Sequence, residues 1–245
     1  MKTFGLIGFP LTHSFSKKYF EEKFENENIT NVAFKNFSIE YIEQLKDILQ
    51  TEENLKGFAV TIPHKRNVIQ YLHKASDTVV KMNACNCIKI VNGRLHGYNT
   101  DVAGFEKSFL KHLKPFHSKA LVLGTGGGAS AVEYVLQKNQ IEYLTVSRTQ
   151  NIGQNILCYE DIDEKILSRF LIIINTTPLG MYPKTDAMPK LPYNFLTPQH
   201  YLFDLIYNPQ KTKFLEEGEK KNATIVNGFE MLALQAEENW KIWNE

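Results

Sequence analysis

The chain is poor in cysteine, in net charge and in long apolar runs, and each shortage closes off a class of protein. Three cysteines, Cys85, Cys87 and Cys158, are too few for a disulfide framework, which suits a reducing cytoplasm. Cys85-Asn86-Cys87 is too tight, and lacks a partner pair, for a structural zinc site. No metal is expected, and the three cysteines read as small apolar residues. Lys plus Arg at 28 against Asp plus Glu at 27 leaves a net charge of +1, without a basic stripe for gripping nucleic acid. No apolar run approaches the roughly 18 residues that a membrane span needs. The chain enters a strand at once, at Thr3–Gly8, where a signal peptide would show a basic region and a long apolar one. Repeats and low-complexity segments are absent too.

What is there is an ordinary globule of 245 residues, 43% hydrophobic and 22% charged, enough for one large domain or two moderate ones. One stretch organises it: Gly57-Phe58-Ala59-Val60-Thr61-Ile62-Pro63-His64-Lys65. The apolar, β-branched part reads as a short buried strand, and Pro63 ends it because proline cannot donate to a sheet ladder. Thr61 then lies near the strand's carboxyl end and Lys65 just past it, where open α/β sheets bind ligands. A hydroxyl and an amine there can hold a polar substrate and move a proton, although a lone lysine is more often solvated. Ahead of this stretch, His13-Ser14-Phe15-Ser16 leads into a helix over Lys17–Asn26. Either Ser14 or Ser16 can cap that helix, and the other is left to present its hydroxyl to a ligand.

Strand Asn31–Ser38 and helices Tyr41–Thr51 and Asn67–Leu72 fill the first third of the chain. The run Val79–Ile90 reads as an apolar strand whose asparagines, Asn83 and Asn86, each need a turn, bulge or ligand as their reason. Asn92-Gly93 is a hairpin signal. Asp101 opens a helix over Val102–Lys114, so it is either an N-cap or, beside Lys65, the carboxylate of a proton-shuttling pair. Composition shifts near Pro115–Ser118. The apolar strand Lys119–Leu123 then runs into Gly124-Thr125-Gly126-Gly127-Gly128-Ala129, which opens a helix to about Asn139. Strand, glycine turn, helix, strand is the setting in which helix N-terminal amides cradle a pyrophosphate. The next strand, Ile141–Val146, ends in Ser147-Arg148-Thr149 instead of a carboxylate. A cation and two hydroxyls there favour a 2′-phosphate, hence NADP(H), unless Arg148 is a surface cation.

Residues 150–170 show at most a helical turn or two. Strand Phe170–Ile174 ends in Asn175-Thr176-Thr177-Pro178-Leu179-Gly180-Met181, a loop expected on the nicotinamide side of the cofactor. Strand Tyr201–Ile206, helix Lys213–Lys221, strand Thr224–Val226 and a long helix opened by Gly228 complete the chain, with Met231 and Gln235 one turn apart on that helix.

In this order the motifs resemble the shikimate dehydrogenase family over essentially the whole chain. The carriers are His13–Ser16, Val60–Lys65, Ala84–Cys87, Gly97–Asp101 with Gly104-Phe105, the glycine turn, Ser147–Thr149, Asn175–Met181 and Gly228–Gln235. The resemblance implies two α/β domains, residues 1–101 for substrate and 102–228 as a Rossmann-like NADP-binding domain, with the C-terminal helix 229–245 returning to the first. It implies reduction of 3-dehydroshikimate to shikimate in a cytoplasmic monomer or homodimer. Lys65 and Asp101 would be the catalytic pair, and Ser14, Ser16, Thr61, Asn86 and Gln235 would join them in holding substrate. The cofactor would be held by Gly124 to Ala129, Ser147, Arg148, Thr149, Thr176, Thr177, Pro178, Leu205, Tyr207, Gly228 and Met231.

Four departures stand out. Ala59 replaces the family's usual asparagine, and Asn83, Cys85 and Cys87 replace glycine, valine and threonine around Asn86. Ser130 stands where many members carry an arginine, which shifts phosphate binding onto Arg148. The helix after Arg148-Thr149 is shortened. A quinate dehydrogenase or a paralogue with a related substrate remains open on these grounds, as does a dinucleotide-binding protein without turnover.

Overall fold

A computed structural model describes residues 1–11, 15–149 and 156–245. It is a mixed α/β protein that divides into two compact units, residues 1–100 with 235–245, and residues 101–234.

The first unit holds strands β1 (Lys2–Gly8), β2 (Val32–Ser38), β3 (Leu55–Val60), β4 (Lys74–Ala75), β5 (Cys87–Val91) and β6 (Arg94–Tyr98), with helices α1 (Phe15–Asn26), α2 (Leu45–Thr51) and α3 (Asp77–Met82). They form one sheet in the order β2-β1-β3-β5-β6-β4. β1 lies parallel to β2 and β3, and β5 antiparallel to both β3 and β6. The β5–β6 hairpin turns at Asn92 and Gly93, with φ of 50° and 74°, the left-handed pair that matches strand twist.

Alternation along β3 splits its side chains between two cores. Phe58 and Val60 join Ile42, Leu45 and Ile48 on one face, and Ala59 joins Phe4, Phe20, Cys87 and Trp243 on the other. Gly57 is dictated by that second face: a Cβ there would come within 2.5 Å of Trp243 Nε1. The bare backbone lets the indole lie against the strand and donate its N–H to the Ile88 carbonyl at 3.0 Å.

The run Val79–Ile90 is not a single strand, contrary to its apolar reading. Ser76 caps α3 by accepting from the Val79 amide, and Asn83 ends that helix in the left-handed conformation at φ 47°. Asn86 lies in the loop before β5. Asparagine tolerates that backbone better than other non-glycine residues, so Asn83 has the turn that its composition demanded.

The second unit begins with α4 (Asp101–Leu110). It continues through β7 (Lys119–Leu123), α5 (Gly127–Lys138), β8 (Glu142–Ser147), β9 (Ile156–Cys158), α6 (Glu164–Arg169), β10 (Ile172–Asn175), β11 (Tyr201–Asp204), α7 (Lys213–Lys220) and β12 (Thr224–Val226). All strand pairs are parallel, in the order β12-β11-β10-β7-β8-β9. Counted from β7 this is 3-2-1-4-5-6, the dinucleotide-binding order, whose switch point lies between β7 and β10. The central strands β7, β10 and β11 are mostly apolar and buried, the pattern of a parallel sheet covered on both faces. β9 was missed in the sequence. The last helix, α8 (Phe229–Asn244), starts in the second unit and ends in the first, where Ala236 and Trp243 enter the Phe4–Phe20 core. Among the described residues no helix is long and apolar enough to cross a membrane, and no cluster of three His, Cys, Asp or Glu could hold a metal.

Candidate functional site

In the first unit the exit of β3 is pinned from both sides. Val60 donates its amide to the Asn86 carbonyl at 2.8 Å, and Thr61 donates to the Ile7 carbonyl at 2.8 Å. The chain then turns back, His64 N–H to Thr61 carbonyl at 2.9 Å, and the Lys65 carbonyl receives the Cys85 amide at 2.7 Å. His64 is buried, and its Nε2 donates to the Ile39 carbonyl at 2.7 Å, tying the turn to the segment after β2. Gly8 must be glycine because a Cβ would lie 2.3 Å from the Thr61 methyl. Thr61 and the Lys65 backbone are thereby fixed beside Asn86, and both side chains keep partial exposure.

Asn86 is itself buried and held by its amide. Its Oδ1 accepts from Thr100 N–H at 2.7 Å and Thr100 Oγ1–H at 3.2 Å, and its Nδ2 donates to Gln235 Oε1 at 3.4 Å. The single Thr100 hydroxyl proton is shared between Asn86 Oδ1 and Asn239 Oδ1, the latter nearer at 2.7 Å. Thr61, Lys65, Asn86 and Gln235 are thus brought to one strand end, with Thr100 and Asn239 behind them. Sequence reasoning missed those last two, since nothing local marks a buried relay across residues 86, 100, 235 and 239. Ser16 sits inside the first turn of α1, so it is not that helix's cap; Ser14 lies outside the described residues. Asp101 is the first residue of α4 and is partly exposed.

Two departures from the family pattern lie together. Ala59 and Cys87 are direct cross-strand partners on β3 and β5, and both are buried in the apolar core. Burial pushes the Cys87 thiol well above its ordinary range, so it stays protonated and apolar instead of acting as a nucleophile. Loss of one polar group is matched by loss of its neighbour, and no orphaned donor remains from an asparagine or threonine at these positions.

In the second unit the glycine turn stands at the switch point. Gly124 has φ +109°, and a Cβ there would meet Thr176 Oγ1 at 2.8 Å and the Thr177 methyl at 3.0 Å. Gly126 is the N-cap of α5 without any side-chain cap, and a Cβ on Gly126 or Gly127 would meet nothing within 4 Å. The turn therefore leaves first-turn amides uncapped by side chains next to open space, which fits a pyrophosphate. A Cβ on Gly128 would lie 3.1 Å from the Leu205 side chain, and one on Gly228 2.1 Å from the Leu205 carbonyl oxygen. Gly124, Thr176 and Thr177 form one contact group and Gly128, Leu205 and Gly228 another. Thr125 is exposed on the turn between Gly124 and Gly126, Ala129 is buried in the first turn of α5, and Pro178 is exposed in the loop after Thr177.

Ser147, Arg148 and Thr149 follow at the end of β8, Arg148 and Thr149 exposed. Arg148 is near enough to Tyr159 that its charge partly offsets the rise that burial imposes on that phenol. Tyr207 is half-buried, which raises its phenol, and Met231 lies in α8. Beside the turn is a cavity of about 250 Å³ lined by Thr125, Ser130, Glu133, Tyr143, Thr145 and Ile156. Glu133 accepts from Thr145 Oγ1 at 2.8 Å, yet burial still raises its carboxyl.

Comparison with known proteins follows the same division. The family description "Shikimate dehydrogenase substrate binding domain" matches residues 6–88. A shikimate dehydrogenase (NADP(+)) of Methanococcus maripaludis is 35% identical over 99% of this chain and 91% of its own length. A crystal structure of a shikimate dehydrogenase in complex with NADP+ superposes with a TM-score of 0.87 at 31% identity, covering 99% of this chain and 90% of that one. The Thermus thermophilus enzyme in complex with NADP(H) and shikimate gives 0.86 at 26%, covering 99% and 93%.

Proposed function

Because the chain belongs to the shikimate dehydrogenase family, we propose that it reduces 3-dehydroshikimate to shikimate with NADPH, the first unit taking the substrate and the second the cofactor. The observation that carries the reading is the convergence of Thr61, Lys65, Asn86 and Gln235 on the exit of β3. Four neutral or cationic polar groups on one pinned strand end suit a small ring bearing hydroxyls and a carboxylate.

NADPH, when bound, supplies the hydride for the ring ketone. This chain's residues do the rest. Lys65 donates to the ketone oxygen as negative charge gathers on it, and gives up a proton to yield the alcohol. Asp101 is assigned with Lys65 to the catalytic pair, as the carboxylate that takes part in returning the proton. Asn86 and Gln235 orient ring hydroxyls, the Asn86 amide being unable to rotate while Thr100 occupies its oxygen. Ser14 and Ser16 are assigned to the carboxylate end of the substrate. Gly124–Ala129 take the pyrophosphate, Ser147, Arg148 and Thr149 the adenosine 2′-phosphate, and Thr176–Pro178, Leu205, Tyr207, Gly228 and Met231 the nicotinamide half.

The test is reduction of NADP+ followed at 340 nm with shikimate, then quinate, each repeated with NAD+. Strong preference for shikimate with NADP+ is expected. Equal turnover of quinate with NAD+ would move the protein to the sister activity, and silence on all four pairs would refute the assignment.

A further inference from the structure

At the carboxyl end of β11 lies a carboxylate that no part of this mechanism uses. Asp204 is completely buried, opposite Asn175 in the β10–β11 register. Its three partners are all neutral donors: Asn175 Nδ2 at 3.0 Å and Ile206 N–H at 3.0 Å on Oδ1, and Thr212 Oγ1 at 2.6 Å on Oδ2. Burial pushes its acidity to about 6, so at neutral pH the group is ionised against the preference of its surroundings. A charge kept in such a place invites a reason.

The reason lies in what Asn175 holds. With its NH2 turned to the carboxylate, its Oδ1 is free to accept from Thr177 N–H at 3.1 Å and Thr177 Oγ1–H at 2.7 Å. Thr177 Oγ1 in turn accepts from Leu179 N–H at 3.3 Å. A flipped amide would set its NH2 against the Thr177 N–H and its oxygen against the carboxylate, two repulsions at once. An ionised carboxylate only accepts, so it permits one orientation of Asn175 and no other. Thr212 reaches the same loop from the far side, its Cβ 3.2 Å from where a Cβ on Gly180 would be, φ +98°. The segment after β11 is bound in as well, Leu205 N–H to the Asn175 carbonyl at 3.0 Å and Gly228 N–H to the Ile206 carbonyl at 3.0 Å.

We propose that Asp204 is a positioning residue for the nicotinamide-side loop: by locking the Asn175 amide and Thr212 it sets the backbone of Thr176–Gly180 for hydride transfer. The proposal rests on the assignment of that loop to the nicotinamide. Three segments given to the cofactor, 176–178, 205–207 and 228–231, start from this one cluster.

Asp204→Asn is the decisive variant, because an amide at 204 keeps the shape and can satisfy its neighbours but lets the 175 and 204 amides flip together. The expected result is a thermal midpoint no lower than the parent's at pH 8 and a kcat lower by about tenfold. KM for shikimate should stay within about twofold. The isotope effect with shikimate deuterated at the hydride-donating carbon should rise toward its full value. Thr177→Val should give the same loss of kcat, and the double variant should lose no more than either alone, as expected of groups acting in one relay. Without any cofactor present, hydrogen exchange at the Thr177 and Leu179 amides should be about tenfold faster in Asp204→Asn, since both lose their fixed acceptors. Unchanged kcat, additive losses, or unchanged exchange at those two amides would overturn the proposal. If the parent protein turned over no shikimate at all, the functional assignment would fall, and the exchange experiment would still decide whether Asp204 orders the loop.

Discussion

Arg148→Ala should remove most of the preference for NADP+ while leaving NAD+ almost untouched. The only difference between the two cofactors is a 2′-phosphate, and the α5 N-terminus acts on the pyrophosphate that they share. In the sequence no second cation follows Arg148 closely. From Arg148 the next lysine or arginine is Lys165, with Glu160, Asp161, Asp163 and Glu164 in between, and position 130 is serine. Arg148 is exposed at the strand end, so its attraction is that of charges in water, about 1 kcal/mol per pair of unit charges at 4 Å. A phosphate carries about −1.5 to −2, and a hydrogen bond to a charged group contributes about 1.5–3 kcal/mol. The two figures describe the same contact and are not added, so the contact contributes roughly 2–3 kcal/mol, or about 30- to 150-fold in kcat/KM for NADP+. Initial rates with saturating shikimate and varied cofactor measure it. Arg148→Lys should fall between, since an ammonium cannot bind the phosphate bidentately. Rising salt should erode the parent's NADP+/NAD+ ratio and leave the alanine variant's flat. An equal loss with both cofactors would mean that Arg148 only supports the β8–β9 edge, and no loss would place discrimination elsewhere.

Three further outcomes are open to measurement. Ser130→Arg should lower KM for NADP+ by about three- to tenfold without changing kcat, because the new side chain enters the cavity beside the glycine turn and finds Glu133 one helical turn on; an unchanged or higher KM would count against this placement. Lys65→Ala should depress kcat far more than it raises KM, because its contact strengthens as charge builds on the ketone oxygen, and an effect on KM alone would demote Lys65 to binding. Asp204→Asn should gain stability over the parent as pH rises. The folded carboxyl, at about 6, binds its proton more tightly than the unfolded group at 3.8, so its contribution is complete below 3.8 and is lost as pH climbs through 6. A shift of that size corresponds to about 3 kcal/mol. Since pH 5 lies above the unfolded value, about 1.4 kcal/mol of this should separate the urea-derived stabilities of the two proteins between pH 5 and 8, and a pH-independent difference would refute the sign.

Much of the second unit was legible because each β-α step carries its own local signal. The apolar run Lys119–Leu123 followed by glycines leaves few alternatives, and the observed strand matches it. β9 escaped since three residues at a sheet edge have too little periodicity to register. The run Val79–Ile90 misled for a different reason: its β-branched residues suggest a strand, while Ser76 and Asn83, the cap and the stop of α3, are single residues outweighed in a count of propensities. At the site, Thr61, Lys65 and Asn86 stood out in the sequence as polar residues at the ends of apolar runs. Asp204, inside the run Tyr201–Ile206, passed without notice, because burial with neutral partners is a property of the fold and not of the string. Asn239 looks like any polar helix residue until Thr100 is found beneath it.

The first unit's discontinuity sets a timetable for its birth. Its sheet and helices α1 to α3 are all drawn from residues 1–100, yet the groove over Gly57 stays bare until Trp243 exists. The whole of residues 101–234 must be translated in between, a delay on the order of ten seconds at ordinary ribosome speeds. During that interval Phe4, Phe20 and Phe34 face solvent on a half-finished sheet, while the later unit, continuous in sequence, has everything it needs. The domain that is written first is therefore the one completed last, and a nascent chain stalled before residue 235 would present a sticky aromatic face to whatever chaperone is near.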